Sequence, residues 1–417
     1  MTSRRHLLLG SASLLGLSAL GLPRLAQAGS SSQRKFLFVT ASGGWDVTWA
    51  LAPEALSSPS IWTDPSSHVA EIGGLSVVDA ESRPSVRRLF EGFGDRTCVL
   101  GGFEVRSVTH ERCRRILMTG STATDRDGWS TRLGLDSPCE LPVVVGSGPS
   151  YSANSGSIVA RLGRDGQLAR LLDGSALERS DTPASPLPQS ADELAEAWLD
   201  RRAAQFAAQA PPGQAQRFAD ANVLGRAQIG LLEDLGVDLS VEPGTGRTGP
   251  ILSLMSAGLT RCGMVEHLGL FDTGWDTHSD ITRQGDHWEA LARDLLETLE
   301  LMAAMPGEQG GSLLDETVVV VLSEMGRAPV LNPSEGKDHW TFTSALLIGD
   351  GVRPGTVGAY DEVLVGQPVD LQSGQPDSSG TALTASNVGA TLLRLGGVDL
   401  NEDTDAAPIL AALVQGE

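Results

Sequence analysis

The sequence has few cysteines, and they form no metal or redox motif. Its four cysteines, in 417 residues, lie far apart without a C-x-x-C pair: Cys98, Cys113, Cys139 and Cys262. This spacing excludes a zinc ribbon or dithiol redox site of that type, and four cysteines do not build a disulfide-dense scaffold. The sequence leaves open whether they are buried thiols or form one or two disulfides in an oxidising compartment.

Positive charge is also scarce. Lysine and arginine number 31 against 52 acidic residues, the net charge is -21, and the only lysines are Lys35 and Lys337. So acidic a chain matches nucleic acid and anionic membrane surfaces poorly, and we expect neither as its main partner. Beyond the N-terminus the sequence has no apolar run of about 18 residues, which excludes a multi-span membrane protein.

Three common enzyme motifs are missing too. No G-x-S-x-G occurs, no P-loop occurs, and no G-x-G-x-x-G follows a strand-like run, which disfavours an α/β-hydrolase and a nucleotide-binding protein. Aromatic residues make up 5% of the chain, whereas 41% is hydrophobic and 20% charged. These last two proportions are typical of a folded chain with a sizeable core.

Residues 1–28 have the pattern of an export signal. Positions 3–9 (SRRHLLL) resemble the twin-arginine signature, a weakly apolar stretch covers 7–22, and Ala-Gln-Ala at 26–28 offers a cleavage site. We therefore expect export by the twin-arginine machinery to the periplasm or beyond, with no stable membrane span after cleavage. An uncleaved signal anchor is the alternative.

Six short apolar runs end in loops rich in glycine and polar residues: 35–40, 97–100, 141–145, 264–270, 317–322 and 344–348. Continuous apolar strands are typical of a parallel sheet buried on both faces. Helical patterns lie between them, most clearly at 287–305 and more briefly at 110–118. The alternation predicts an α/β fold, a three-layer sandwich with a mostly parallel central sheet.

The remaining chain, 29–417, is expected to form one α/β domain with an insertion. Residues 165–250 are rich in alanine, glutamine and aspartate with proline-rich breaks, and 190–210 and 215–235 have helical patterns. We interpret this stretch as a helical insertion or cap. Residues 366–381 are predicted to be a long polar loop.

Carboxylates and histidines cluster after several of the predicted strands. We predict metal ligands at six positions: Asp46, Asp276, His278, Glu324, Asp338 and His339. Because parallel strands end at one edge of the sheet, these groups are expected to meet there. Carboxylate oxygens and imidazole nitrogens are ligands for zinc, with manganese, iron or calcium as alternatives, and a divalent cation would relieve their mutual repulsion. Taken singly, each cluster also fits a helix cap or a structural ion pair.

The segment 271–399 resembles an exported bacterial family of proteins of unknown function, DUF1501. The motifs that carry the resemblance are GWDTH at 274–278, LLDETVVVVLSEMGR at 313–327, GKDHW at 336–340 and NVGATLLRLGGVD at 387–399. The family usually has phenylalanine at the position of Met325. GGWD at 43–46 and the segment 109–133 fit as well, whereas 165–250 fits least.

That family looks like a branch of the alkaline phosphatase and sulfatase superfamily. The resemblance implies an alkaline phosphatase-like fold with one or two metals at the strand ends. Asp46, Asp276, His278 and His339 match the superfamily's metal ligands, and Glu324 replaces an aspartate. The resemblance also implies a small anionic ester or a glycan as substrate.

The position of the superfamily's nucleophile holds a histidine here. Sulfatases have a C-x-P-S-R motif followed by a helix that ends in L-L-T-G, and Leu-Met-Thr-Gly at 117–120 fits the end of that helix. Counting back from there places His110 where the cysteine or serine nucleophile is usual, and Arg114 on the arginine of C-x-P-S-R. His110 is thus a covalent nucleophile, a metal ligand beside an attacking water, or a residue of a site that has lost hydrolysis. Arg114 and Arg327 suit an anionic substrate oxygen or a structural carboxylate.

Together these features predict an exported, metal-dependent hydrolase of phosphate or sulfate esters. One alternative is a non-catalytic extracytoplasmic protein that binds a metal or a glycan on the same fold. Another is a protein that travels with an exported partner as an assembly factor.

Overall fold

The protein was analysed as a computed structural model. It describes residues 33–153, 155–163, 189–235, 248–270, 274–400, 404 and 406–414. The predicted signal at 1–28 lies outside the described residues, as do 165–188 and 236–247 of the predicted insertion.

Eight strands form one large sheet, in the order β12-β4-β11-β8-β1-β7-β5-β6. Its strands are β1 (Lys35–Ala41), β4 (Thr97–Glu104), β5 (Val143–Val145), β6 (Val159–Arg161), β7 (Cys262–His267), β8 (Thr317–Ser323), β11 (Phe342–Gly349) and β12 (Gly355–Val357). Two small antiparallel pairs lie outside it, β2 (His68–Ile72) with β3 (Leu75–Asp79) and β9 (Gly326–Arg327) with β10 (His339–Trp340).

The large sheet is mostly parallel, as predicted. β1 pairs in parallel with β7 and β8, and β5 pairs in parallel with β6 and β7. β11 is antiparallel to both its neighbours, β4 and β8. The carboxyl ends of β1, β4, β7 and β8 therefore meet at one edge of the sheet, and β11 begins at that same edge.

Helices cover both faces of the sheet. The α-helices described around the sheet are α1 (Pro84–Phe93), α2 (His110–Thr119), α3 (Trp129–Leu135), α6 (Gly249–Ser256), α7 (Arg283–Ala304) and α8 (Ala385–Leu395); the described helices between α3 and α6 belong to a second unit, described below. On β1, Phe36 and Phe38 join the core cluster formed with α2, α3 and α8. Leu37 and Val39 point to the opposite face because side chains alternate along a strand, and Val39 lines a cavity with Leu291 of α7. The three-layer α/β prediction is confirmed.

Burial explains why these runs became central strands. All seven residues of β8 are buried, as are six of the seven in β1. β-branched and aromatic side chains suit such a pleated, two-sided environment. All six predicted strands are present. Residues 366–381 contain no helix or strand, so the predicted polar loop is confirmed.

A second compact unit includes residues 189–235, within the predicted insertion. Its described part consists of α4 (Gln189–Gln209) and α5 (Gln214–Leu235), which pack against each other. Arg226 of α5 bonds Glu196 and Asp200 of α4, with each N–O distance 2.6 Å. Both helices agree with the sequence prediction. Among the described helices, none combines the length and hydrophobicity needed to cross a bilayer.

Candidate functional site

The carboxyl edge of the sheet brings four separate segments together. His110 begins α2, shortly after β4, and Asp276 and His278 follow β7. Glu324 comes directly after β8, and His339 begins β10, just before β11. The topology thus places residues more than 200 positions apart at one edge, as expected for ligand sites in open α/β sheets.

Three histidines surround the carboxylate of Asp276. His278 Nε2 and His339 Nε2 each lie 3.2 Å from Asp276 Oδ1, and 2.9 Å from one another. His110 Nε2 lies 3.4 Å from Asp276 Oδ2. The ε-nitrogens of all three rings therefore face the same carboxylate.

The δ-nitrogen of each of these rings has a different partner. His110 Nδ1 is 2.9 Å from Glu324 Oε1, and His278 Nδ1 is 3.3 Å from Asp338 Oδ1. His339 Nδ1 is 2.6 Å from the carbonyl oxygen of Val108. These three oxygens are acceptors, so each δ-nitrogen donates its proton to one of them. With a metal bound, neutral rings in this tautomer would present unprotonated ε-nitrogens to the centre. Without one, the ε-nitrogens of His110 and His339 donate to Asp276.

This donor set fits a divalent metal ion. Ligand atoms of His110, Asp276 and His339 all lie within 4.8 Å of one another, and His278 Nε2 contacts two of these residues. Three imidazoles and a carboxylate suit zinc and related transition metals. Metal-binding histidines usually donate their other ring N–H to a carboxylate or carbonyl oxygen, which is the pattern seen here. We call these four residues the His-Asp centre.

The protonation states also indicate a site that attracts cations. Hydrogen bonds to Asp276 and Glu324 raise the pKa of His110 to about 9. Burial alone would raise the pKa of Asp276, but hydrogen bonds from His110, His339 and Arg327 lower it below its usual range. Without a metal, His110 is therefore protonated on both ring nitrogens and positively charged at neutral pH. The proton on its Nε2 lies where a metal would bind.

Glu324 holds the ring of His110 through its δ-nitrogen. Its side chain is 2% exposed, and it accepts hydrogen bonds from the backbone N–H of Gly43 at 2.9 and 3.1 Å. Burial would raise its pKa, but the bond with His110 and the nearby charge of Arg114 lower it. Gly43 has φ of +130°, and a Cβ there would lie 2.8 Å from the backbone nitrogen of Asp276. Only glycine combines that backbone shape with such a close approach.

Of the two partners expected for Arg327, a substrate oxygen or a structural carboxylate, the structure shows a carboxylate. Its side chain is completely buried, and its guanidinium donates to Asp276 Oδ1 at 2.7 Å. Its other bonds go to the backbone oxygens of Gly43, Gly44, Trp275 and Lys337. Arg327 thus joins three loops of the site and orients Asp276.

Asp46 is not brought into the His-Asp centre. Its Oδ1 accepts hydrogen bonds from the backbone N–H and the hydroxyl of Thr48, at 3.0 and 2.8 Å. Its Oδ2 lies 2.7 Å from Lys337 Nζ, and both side chains of this ion pair are fully buried. Both carboxylate oxygens of the expected metal ligand are therefore occupied by the protein itself.

The remaining predicted residues lie around the centre. Arg114 is 32% exposed, and its Nε donates to Glu324 Oε1 at 3.3 Å. Asp338 is 67% exposed and contacts the centre only through His278. Cys113, on the same helix as His110, is fully buried, and burial raises the pKa of its thiol, so it is unsuited to act as a nucleophile.

Sequence reasoning missed two supporting side chains. Gln284 of α7 is buried, accepts from the backbone N–H of Asp46, and donates to Thr277 Oγ1 and to the Trp275 oxygen. The sequence singled out Lys337 only as one of two lysines and as part of the GKDHW motif at 336–340. Neither has a local sequence signal, because its partners lie in distant segments.

The chain is similar to several solved structures, all at low sequence identity. One is the lipoteichoic acid synthase LtaP from Listeria monocytogenes, with 9% identity, TM-score 0.38, and coverage of 93% of this chain and 78% of that chain. Another is a protein in the alkaline phosphatase superfamily from Vibrio parahaemolyticus, with 11% identity, TM-score 0.38, and coverage of 92% and 71%. A third is the phosphonate monoester hydrolase of Agrobacterium radiobacter, with 10% identity, TM-score 0.34, and coverage of 92% and 78%.

The sequence of this chain also matches a protein-family model. The curated proteins contain no significant match to this chain. Residues 254–399, which include three residues of the His-Asp centre together with Glu324 and Arg327, match the model of the family described as "Protein of unknown function (DUF1501)", and this confirms the resemblance seen in the sequence motifs of that segment.

Proposed function

We propose that this protein is a metal-dependent hydrolase of phosphate or sulfate esters, with the His-Asp centre as its metal site. One observation carries the proposal. The ε-nitrogens of His110, His278 and His339 face the carboxylate of Asp276, while each δ-nitrogen has an oxygen partner of its own. Zinc fits this donor set, with manganese as the alternative.

The residues around the centre have distinct tasks in this proposal. A bound metal would supply Lewis acidity to an ester oxygen. Glu324 and the Val108 carbonyl fix the rings of His110 and His339, and Arg327 orients Asp276. Arg114 is partly exposed and its Nε bonds Glu324, so the rest of its guanidinium is available to bind an anionic ester oxygen.

The geometry favours His110 as a metal ligand over His110 as a covalent nucleophile. Both of its ring nitrogens face carboxylates, and the Nε2 position belongs to the His-Asp centre. Since Cys113 is buried, the attacking group in this scheme is a water molecule positioned beside the metal ligands.

A non-catalytic metal- or glycan-binding role is the second candidate, and one observation favours it. Three residues of the His-Asp centre, His110, Asp276 and His339, have ligand atoms all within 4.8 Å of one another, and His278 would be the fourth ligand. Four-ligand zinc sites are usually closed and structural. Exposure favours the catalytic candidate. Asp276 is 36% and His278 42% exposed, so solvent reaches one side of the centre.

Metal content tests the proposed site directly. The protein should be purified natively, and its transition metals measured by mass spectrometry in the wild type and in Asp276→Ala. We expect about one metal per chain, lost in the variant because the central carboxylate is removed. Asp280→Ala is the matched control, since Asp280 accepts bonds only from nearby Thr282 and Arg283. A wild-type protein that stays empty after loading with zinc or manganese would overturn the proposal.

Catalysis is tested with p-nitrophenyl phosphate and p-nitrophenyl sulfate on the loaded protein. Arg114→Ala should lower kcat/KM roughly 10- to 150-fold, because one charge-assisted hydrogen bond contributes about 1.5–3 kcal/mol. Metal binding should persist in this variant. A loaded protein that hydrolyses neither ester, nor a wider set of phosphate and sulfate monoesters, would favour the binding role.

We further infer that the protein is exported through the twin-arginine route. Support comes from the paired arginines, Arg4 and Arg5, ahead of the apolar stretch 7–22. Fusing residues 1–32 to a reporter that works only after folded export tests this. Replacing both arginines by lysine should abolish export, and unchanged export of the variant would contradict the inference.

A further inference from the structure

The chain has two lysines, and both are buried in ion pairs. Lys35, at the start of β1, is 2% exposed, and its Nζ lies 2.6 Å from carboxylate oxygens of both Glu308 and Glu316. Lys337 is fully buried at the opposite edge of the sheet, with its Nζ 2.7 Å from Asp46 Oδ2. Lysine is rarely buried without a partner, so each position has a specific reason.

Lys337 is joined to the site at several points. Its Nζ also donates to the backbone oxygen of Trp62 at 2.9 Å and lies 5.5 Å from the centroid of that ring. Its backbone N–H donates to the oxygen of Thr277 at 3.2 Å, and its own oxygen accepts from Arg327 Nη1 at 3.2 Å. Lys337 thus connects the loop after β1 with the segment just before Asp338 and His339.

Because of its position in the chain, the contacts of Lys337 hold the segment that carries Asp338 and His339. It directly precedes Asp338, which bonds His278, and is two residues before His339, which belongs to the His-Asp centre. A shift of the 336–340 segment would therefore move two of the three histidine rings relative to Asp276. Asp46 is fixed in turn by Thr48 and by Gln284, so it is a rigid anchor.

We propose that Lys337 is a positioning residue of the His-Asp centre, and that its pairing with Asp46 restricts the site to one metal ion. The inference rests on the proposed metal site. The ammonium neutralises the buried Asp46 carboxylate from within the protein and ties the loop that carries His339. Since both oxygens of Asp46 are occupied, it is not free to bind a second cation.

Each of three carboxylates at the site has its own cation from the chain; two of them are buried, and that of Asp276 is partly exposed. Asp46 pairs with Lys337, Asp276 with Arg327, and Glu324 with Arg114. The sequence placed the first of these carboxylates among the metal ligands, but the structure assigns it a lysine. Because Asp46 already has a cation from the chain, we expect the site to take only one cation from solution, at the His-Asp centre.

The experiment compares Lys337→Met with Lys35→Met, its matched control. Each change removes one buried ammonium and leaves its carboxylate partners uncompensated, so both variants should lose stability. Zinc affinity is measured by competition with a chelator, and cobalt(II) absorption reports the coordination geometry. We expect Lys337→Met to bind zinc about 10- to 100-fold more weakly, with an altered cobalt spectrum. Lys35→Met should match the wild type in both readouts.

A second variant covers the possibility that Lys337→Met does not fold. Asp46→Asn combined with Lys337→Met removes both charges, so no uncompensated charge stays buried, but the link to the 336–340 segment is still lost. It should bind zinc about 10-fold more weakly. Wild-type affinity in this variant, or equal effects of the two single lysine changes, would overturn the role of Lys337.

Stoichiometry separates this inference from the proposed function. We expect one zinc per wild-type chain, and one in Asp46→Asn, because Asp46 is not a ligand. Two metals in the wild type would overturn the inference while leaving the proposed metal site intact. No metal in the wild type would overturn both.

Discussion

At the scale of single residues, burial and hydrogen bonding separate the three histidines of the His-Asp centre from His287. His110, His278 and His339 are partly exposed and lie against carboxylates. His287 on α7 is completely buried and packs its ring 5.1 Å from that of Trp275. The three histidines of the centre suit cations, whereas the surroundings of His287 oppose a positive charge.

The pH dependence of stability should show the effect of His287. Burial lowers its pKa to about 4, against about 6.5 in an unfolded chain. In the folded state it stays neutral, so its contribution to stability is complete above pH 6.5 and decreases as the pH falls towards 4. Between pH 7 and pH 5 this one group should cost about 2 kcal/mol in the free energy of unfolding.

Urea unfolding of the metal-free protein at the two pH values measures this change. His287→Gln should be less stable than the wild type at pH 7 but should lose about 2 kcal/mol less on going to pH 5. His68→Gln is the control, since that side chain lies at the surface and is 57% exposed. An unchanged pH dependence in His287→Gln would contradict the assignment.

The identity of the site residues was more predictable than their roles. Histidines and carboxylates after apolar runs pointed to Asp276, His278, Glu324 and His339, and all four meet at the sheet edge. The sequence alone did not distinguish a ligand from a residue that orients one. Asp46 and Arg327 show why: their partners, Lys337 and Asp276, lie 291 and 51 residues away, and only the fold brings each pair together.

At the scale of elements, apolar runs predict strands but not their directions. β11 is as apolar as its neighbours yet antiparallel to both of them. That reversal brings its first residue, Phe342, to the carboxyl edge and places His339 beside the other ligands. Strand direction depends on the preceding connection, and no local pattern in 328–341 specifies it. The β2–β3 pair was missed despite its Gly73-Gly74 turn, which is a hairpin signal.

Helix packing supplies a test at this scale, using two glycines. Gly389 lies in α8, where an added Cβ would overlap the indole ring of Trp129. Gly92 lies near the end of α1, and a Cβ there would meet no atom within 4 Å. Gly389→Ala should lower the free energy of unfolding by about 1–3 kcal/mol through overpacking. Gly92→Ala should raise it by up to about 1 kcal/mol through helix propensity.

Chemical denaturation of both variants at one pH checks the signs. Trp129 also donates from Nε1 to the oxygen of Leu117 at 2.8 Å, so a displaced indole would disturb α2 as well. If Gly389→Ala were as stable as the wild type, α8 would have to sit further from α3 than the structure places it.

At the scale of the whole molecule, acidity and local pairing act together. The chain carries a net charge of -21, and a positive ion gains from that field. Within the site, however, Asp46, Asp276 and Glu324 each already pair with a lysine or arginine. Metal affinity should therefore come from the ligands of the His-Asp centre more than from the overall charge.

Metal-dependent stability tests this view. If the folded chain binds zinc and the unfolded chain does not, free zinc at 100 times its dissociation constant should raise the free energy of unfolding by about 2.7 kcal/mol. A chelator should remove that increment, and thermal unfolding with and without chelator measures it. Asp276→Asn should lose the response to zinc because the central carboxylate is gone. Asp46→Asn should keep it, whatever the loss of stability from leaving Lys337 without its partner. A response retained in Asp276→Asn and lost in Asp46→Asn would place the metal at Asp46 and contradict the arrangement of ligands seen here.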